Sequence, residues 1–163
     1  MIARAMPKTG PRRSRLLYIA DDAESIALVE KLLAGRKDLL LLRAADANLG
    51  IERSRAERPD VILIDIDMPG PGDAVALVKL LRASPALQST PILALSANFL
   101  PAAVVRGLEA GFFQYLTKPL QAGAFMEALD FALEFAAVER AEFNPYRRKH
   151  KEIRDGQAHA HPV

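Results

Sequence analysis

The chain has no cysteine. That excludes a disulfide scaffold, a thiol nucleophile and a thiolate-bound zinc. Its only histidines are His150, His159 and His161, all in the polar last stretch of the sequence. A histidine base inside the apolar body of the chain is therefore excluded. No apolar run approaches the ~18 residues that a membrane span needs. The opening MIARAMPKTGPRRSR has no apolar centre, so it is not read as a secretory signal. The expectation is a cytoplasmic protein with no membrane partner.

What is present is ordinary for a globular domain. Of 163 residues, 50% are hydrophobic and 26% are charged, enough for one core with tails. The net charge of +2 is unevenly spread. Residues 1–15 carry five basic side chains and no acid, with two prolines and a glycine, and read as a flexible basic arm. Residues 16–138 hold 11 basic and 16 acidic residues, a net of −5. Residues 139–163 form a polar C-terminal extension, expected to finish a helix and then to be mostly disordered. The sequence pI of about 9.0 thus belongs to the arms. The run RRKHK at 147–151 has little aromatic interleaving and no room for a DNA-binding module, so nucleic acid is not an expected partner.

Between the arms, short apolar runs alternate with amphipathic segments. Strands are predicted at 16–20 (LLYIA), 39–44, 61–65 (VILID), 91–95 and 113–116. Helices are predicted at 25–35, 47–58, 73–83, 102–110 and 121–138. Apolar strands alternating with helices indicate a parallel sheet covered on both faces. Five βα units are too few for an eight-stranded barrel. The fold class is α/β, an open doubly wound sheet whose ligands bind at the carboxyl ends of its strands.

Those ends carry the chemistry. The first strand leads into Asp21 and Asp22, the third ends in Asp65 with Asp67 close behind, and the fourth leads into Ser96. The fifth leads into Thr117-Lys118-Pro119. On one edge of a parallel sheet, these carboxylates, a hydroxyl and an ammonium converge. Clustered carboxylates suit Mg²⁺, which takes oxygen ligands, keeps several waters and often joins one or two carboxylates to a phosphoryl group. An aspartate can itself be the nucleophile and form an acyl phosphate. Such transfer needs positioning and charge neutralisation more than a base, which suits a core without histidine.

The sequence resembles the receiver domain of two-component response regulators over about residues 15–138. The resemblance rests on YIADD (18–22), PDVILIDIDMPG (59–70), PILALSAN (91–98) and GFFQYLTKP (111–119). It looks closest to stand-alone receivers associated with hybrid kinases. It implies a flavodoxin-like strand order 2-1-3-4-5 and a phosphorylation switch that uses Mg²⁺. The implied phosphoacceptor is Asp65, with Lys118 pairing to the phosphoryl group and Ser96 bonding it as the switch hydroxyl. Asp21 and Asp65 would bind the metal, Asp67 through its backbone carbonyl. Tyr115 matches the aromatic switch, and Pro119 matches a proline preceded by a cis peptide. The implied partners are a sensor histidine kinase or a histidine phosphotransfer protein. No separate enzymatic turnover is expected.

Three positions depart from the family pattern. Aligned without gaps, the acidic pair falls on Ala20 and Asp21, so one carboxylate is replaced by a methyl group. Sliding the match by one residue restores a pair at Asp21-Asp22 but spoils the helix register. Asp22 is open between metal shell and helix N-cap. Asp67 stands where Met, Asn or Glu is commoner, and PGPGD at 69–73 replaces the usual PGMDG. An alternative function is therefore a receiver-like interaction module that works without phosphorylation. A weaker one is a haloacid-dehalogenase-type phosphatase, suggested by LIDID at 63–67, but that family places its DxD on the first strand.

The last helix carries a second signal. Phe125, Leu129, Ala132, Leu133 and Ala136 make the stripe expected to face the sheet. Phe131, Phe135 and Val138 lie on the other side, and Phe112 and Phe113 precede the fifth strand. These five residues are read as an interaction face, with a homodimer through the fourth helix, fifth strand and fifth helix as one use. The other reading has the C-terminal arm, with Phe143 and Tyr146, folded back over it.

Overall fold

The computed structural model describes residues 12–68 and 74–142. The basic arm before residue 12, the loop PGPGD at 69–73, and the tail beyond 142 with Phe143, Tyr146 and RRKHK lie outside the described residues. The strands are β1 (Ser14–Ile19), β2 (Leu39–Ala44), β3 (Val61–Asp65), β4 (Ile92–Ser96) and β5 (Gln114–Thr117). The helices are α1 (Ala23–Leu33), α2 (Ala47–Glu57), α3 (Ala74–Ala83), α4 (Pro101–Ala110) and α5 (Ala122–Glu142). One 3-10 turn, Pro85–Leu87, escaped the sequence reading.

All neighbouring strands are parallel, in the order β2-β1-β3-β4-β5. This is the predicted flavodoxin-like order. Strand alternation splits the core in two. Leu16, Tyr18 and Ala20 of the first segment join Leu63, Leu93 and Leu95 under α1 and α5, against Phe125 and Leu129. Leu17 and Ile19 join Ile62, Ile64 and Ile92 on the opposite face, against Leu77, Val78 and Leu81 of α3. Burying each such side chain contributes roughly 1.5–3 kcal/mol, so the sheet is what fixes the positions of its ends.

Local chemistry sets the boundaries. Asp22 caps α1, accepting from the backbone N–H groups of Glu24 (3.3 Å) and Ser25 (3.2 Å). The helix therefore begins at Ala23, earlier than the periodicity predicts. β1 begins at Ser14, inside the predicted basic arm. Ser14 N–H donates to Asp38 O, and Arg15 N–H donates to the Asp60 carboxylate at 2.7 Å. The same carboxylate pairs with Arg140 at 2.7 Å, which ties the end of α5 to the edge where β3 begins. α5 therefore continues past 138, to Glu142.

Two glycines are required by geometry. Gly111 ends α4 with φ at +124°, a region that L side chains rarely adopt. Gly50 lets α2 lie against Ile19, where a Cβ would come within 2.5 Å of Ile19 Cδ1. Among the described residues no helix is long and apolar enough to cross a membrane.

Candidate functional site

The carboxyl edge of the sheet brings Asp65, Asp67, Ser96 and Lys118 together. Asp65 ends a strand that is buried throughout, and it is only 3% exposed. A buried carboxylate needs a charged partner. Lys118 supplies it, with Nζ 2.9 Å from each Asp65 oxygen. The Asp67 backbone N–H adds a bond to Asp65 Oδ1 at 3.0 Å. Lys118 is held in place by its own N–H, which donates to Ser96 O at 2.9 Å. The peptide between Lys118 and Pro119 is cis, as the resemblance implied.

Asp67 takes part through its carboxylate. Its side chain, and not only its backbone, enters the site. Oδ1 accepts the Ser96 hydroxyl at 2.7 Å, and Oδ2 accepts the Ala97 backbone N–H at 2.7 Å. Lys118 Nζ lies 3.2 Å from Oδ2. Partial burial pushes the Asp67 pKa up, but the bonds from Ala97, Ser96 and Lys118 outweigh this and hold it below its ordinary value. Burial likewise lowers the Lys118 pKa, and the bonds and charge of Asp65 and Asp67 more than reverse that.

Ser96 is almost fully buried and also accepts from Asn98 N–H at 3.0 Å. Its hydroxyl thus belongs to Asp67 in this structure. Tyr115 is half-buried, and its hydroxyl donates to the backbone carbonyl of Asn98 in the loop after β4. Gly107 of α4 packs close to the Tyr115 and Phe112 rings, where a Cβ would lie 3.3 and 3.2 Å away. Loop, helix and aromatic ring are therefore in direct contact.

The acids after β1 behave differently. Asp21 and Asp22 are both exposed. Both Asp22 oxygens serve the α1 cap, and Oδ2 also accepts the Ser25 hydroxyl at 2.6 Å. Those Ser25 bonds lower its pKa, with the Lys118 charge a smaller cause. Of its two readings, the N-cap is the one whose contacts are present. Ala20 is buried among apolar neighbours.

No three acidic or histidine side chains among the described residues stand close enough to hold a metal ion by themselves. Mg²⁺ asks for less, since one or two carboxylates suffice when waters and phosphoryl oxygens complete the shell. The acidic groups gathered at this edge, the Asp65 and Asp67 carboxylates, are oxygen donors. That donor chemistry fits the ion.

The face read from the last helix is partly revised. Phe131, Phe135 and Val138 are exposed, and the Phe113 ring sits 5.4 Å from Phe131 and 5.1 Å from Phe135. Phe112 is not part of this face. It is buried against α3 and α4 on the other side of the sheet, because successive side chains leading into β5 point to opposite faces. Val105 and Leu108 of α4 are also exposed.

Comparison with known proteins agrees with this architecture. The family whose model matches is the response regulator receiver domain, over residues 16–130. The transcriptional regulatory protein CseB of Streptomyces coelicolor is 34% identical over 116 residues, 71% of this chain and 47% of that protein. A protein-glutamate methylesterase/protein-glutamine glutaminase of Myxococcus xanthus is 30% identical over 148 residues, 90% of this chain and 39% of that protein. The chain thus spans less than half the length of these relatives. Among solved structures, the chemotaxis response regulator CheY4 of Vibrio cholerae superposes with a TM-score of 0.67 at 25% identity, covering 74% of this chain and 98% of that one. The receiver domain of the sensor histidine kinase PA1611 of Pseudomonas aeruginosa gives 0.66 at 25% identity, covering 74% and 98%, and holds a magnesium ion in its active-site cleft. With five parallel strands in this order and an aspartate–lysine pair at their carboxyl edge, the chain belongs to the response regulator receiver domain family.

Proposed function

We propose that this chain is a phosphorylation switch in which Asp65 receives a phosphoryl group from a histidine kinase or a histidine phosphotransfer protein. The observation that carries this reading is the buried Asp65 carboxylate with Lys118 Nζ 2.9 Å from both oxygens. In the reaction, an Asp65 oxygen forms a bond to phosphorus while the phosphorus–nitrogen bond of the donor phosphohistidine breaks. The imidazole leaves and an acyl phosphate remains. Lys118 moves from neutralising two carboxylate oxygens to neutralising the new phosphoryl oxygens. Asp65 and Asp21 with the Asp67 carbonyl would hold Mg²⁺, which would supply further charge neutralisation.

The resting network states what must change. Ser96 Oγ, Ala97 N–H and Lys118 Nζ all bond Asp67. These are donors suited to an anionic phosphoryl oxygen, so Asp67 must yield at least some of them. When Ser96 turns to the phosphoryl group, the loop carrying Asn98 shifts with it. Tyr115, bonded to that loop, follows. The change reaches the α4 and α5 surface with Phe113, Phe131, Phe135 and Val138, which presents an apolar face for a second copy of the chain.

A second reading is a phosphorylation-independent interaction module. Two observations favour it: Ala20 removes one acid, and Asp67 already occupies the donors. One experiment separates the two readings. The protein is incubated with Mg²⁺ and acetyl phosphate, and intact mass is recorded beside Asp65→Asn. The switch predicts a single phosphoryl adduct lost in the variant; no adduct in the parent leaves the interaction module.

A further inference from the structure

Among the described residues, the Tyr18 hydroxyl is a buried side-chain oxygen with no hydrogen-bond partner. Tyr18 itself is 1% exposed. A buried hydroxyl left unpaired costs stability, and phenylalanine would fill the same space without that cost. The hydroxyl is therefore without a use inside the resting fold.

Its position suggests the use. Tyr18 and Ala20 are two apart on one chain segment, so both side chains lie on the α1/α5 face of the sheet. Ala20 ends in a methyl group, where the gap-free family match expects a carboxylate. Tyr18 packs in the same cluster as Val29, Leu95 and Leu120. Those three residues also line a cleft of about 200 Å³, together with Asp22, Ser25 and Lys118. Tyr18 thus belongs to the apolar layer that backs this cleft, although it does not line the cleft itself. Burial drives its pKa far up and the negative charge of Asp65 adds to this, while the Ser25 side chain opposes it and Asp22 adds a smaller push upward. Ser25 is a polar side chain acting on the phenol, but it donates its own hydroxyl to Asp22 at 2.6 Å, and the Tyr18 hydroxyl reaches no partner within hydrogen-bond distance.

We propose that the Tyr18 hydroxyl is a positioning group of the Asp65 pocket, which hydrogen-bonds an oxygen ligand entering beside Asp65 and stands in for the carboxylate that Ala20 lacks. The inference rests on the phosphorylation-switch reading. The ligand oxygen has two sources with the same chemistry. A water on the bound cation would donate to the phenol oxygen, whereas a phosphoryl oxygen would accept from the phenol O–H.

Tyr18→Phe removes the hydroxyl and keeps the ring. Three measurements are made on the full chain and the variant: the melting temperature without ligand, the Mg²⁺ dissociation constant by calorimetry, and beryllofluoride binding at saturating Mg²⁺ by fluorine NMR. The expected result is a ligand-free melting temperature equal to or above that of the parent. With it comes about fivefold or greater weakening of one ligand. Weakened Mg²⁺ alone identifies the cation's water; unchanged Mg²⁺ with weakened beryllofluoride identifies the phosphoryl oxygen. Equal affinities for both ligands overturn the proposal. So does a lower ligand-free melting temperature, which would show the hydroxyl to be bonded within the resting core. If the parent protein itself binds neither probe, the switch reading fails first, and the failure shows in the parent rather than in the variant.

Discussion

Ser96 donates its hydroxyl to Asp67 Oδ1 at 2.7 Å, 29 residues away in sequence and two beyond Asp65, the proposed phosphoacceptor. Asp67 Oδ2 takes the next backbone N–H, that of Ala97, at 2.7 Å. The pair forms a latch across the mouth of the site. Asp67→Ala opens it, freeing Ser96 and Ala97 and leaving Lys118 to Asp65 alone. A hydrogen bond to a charged group is worth roughly 1.5–3 kcal/mol, so phosphorylation of Asp65 by acetyl phosphate is expected to accelerate about tenfold. The check is the rate of adduct formation at fixed Mg²⁺. An unchanged or slower rate would show that Asp67 assists the transfer instead of competing with it.

The latch has a pH window that follows from its two titrating groups. The folded pKa of Asp67 lies below the ordinary 3.8, so its contribution is complete above that value and is lost as pH falls through the lower folded pKa. The folded pKa of Lys118 lies above 10.5, so its contribution is complete below that value and is lost as pH rises through the higher one. The network therefore holds across the whole neutral range. The Ala97 amide proton reports on it directly. Its NMR shift is expected to titrate with a midpoint below 3.8, and Asp67→Asn is expected to abolish that step. A midpoint above 3.8 would contradict the bonding pattern described.

Strand and helix types, their order and the converging ends were legible because alternation and turn residues are local signals. VILID is buried at every position, as an apolar run between two helices should be. The distant pairings were not legible. β1 starts at Ser14 because Asp38 and Asp60 supply its hydrogen bonds, and nothing near Ser14 announces that. Phe112 and Phe113 are adjacent and equally apolar, yet one fills the core and the other stacks on α5. The decision lies in the strand register, which a two-residue motif does not encode. Asp67 was legible as an unusual acid, but its partner Ser96 was set by the pairing of β3 with β4. Tyr18 gave one weak signal, a hydroxyl in the apolar run LLYIA at 16–20.

Gly50 offers a test of packing against propensity. Alanine in a helix interior is ordinarily favoured over glycine by roughly 1 kcal/mol. Here a Cβ would lie 2.5 Å from Ile19 Cδ1 and 3.0 Å from Cγ1, and Ile19 is wholly buried in the sheet. Overpacking a core of this kind costs about 1–3 kcal/mol. Gly50→Ala is therefore expected to lower the denaturant midpoint, the reverse of the propensity rule. A variant at least as stable as the parent would mean that Ile19 yields without strain.

The apolar side of α5 is the face on which the proposed second copy would dock. Phe131 is 60% exposed and Phe135 is 37% exposed, although both rings touch Phe113. Exposure means that Phe131→Glu removes little from the folded monomer. In a dimer built on this face the same change would bury a charge and lose an aromatic contact worth roughly 1.5–3 kcal/mol, a ten- to hundredfold weakening. Light scattering over a concentration series, with and without beryllofluoride, reads the outcome. The expected result is self-association that beryllofluoride strengthens in the parent and that Phe131→Glu removes, with melting temperature unchanged. A parent that stays monomeric in both states, or a variant that associates equally well, would assign this face to a different partner.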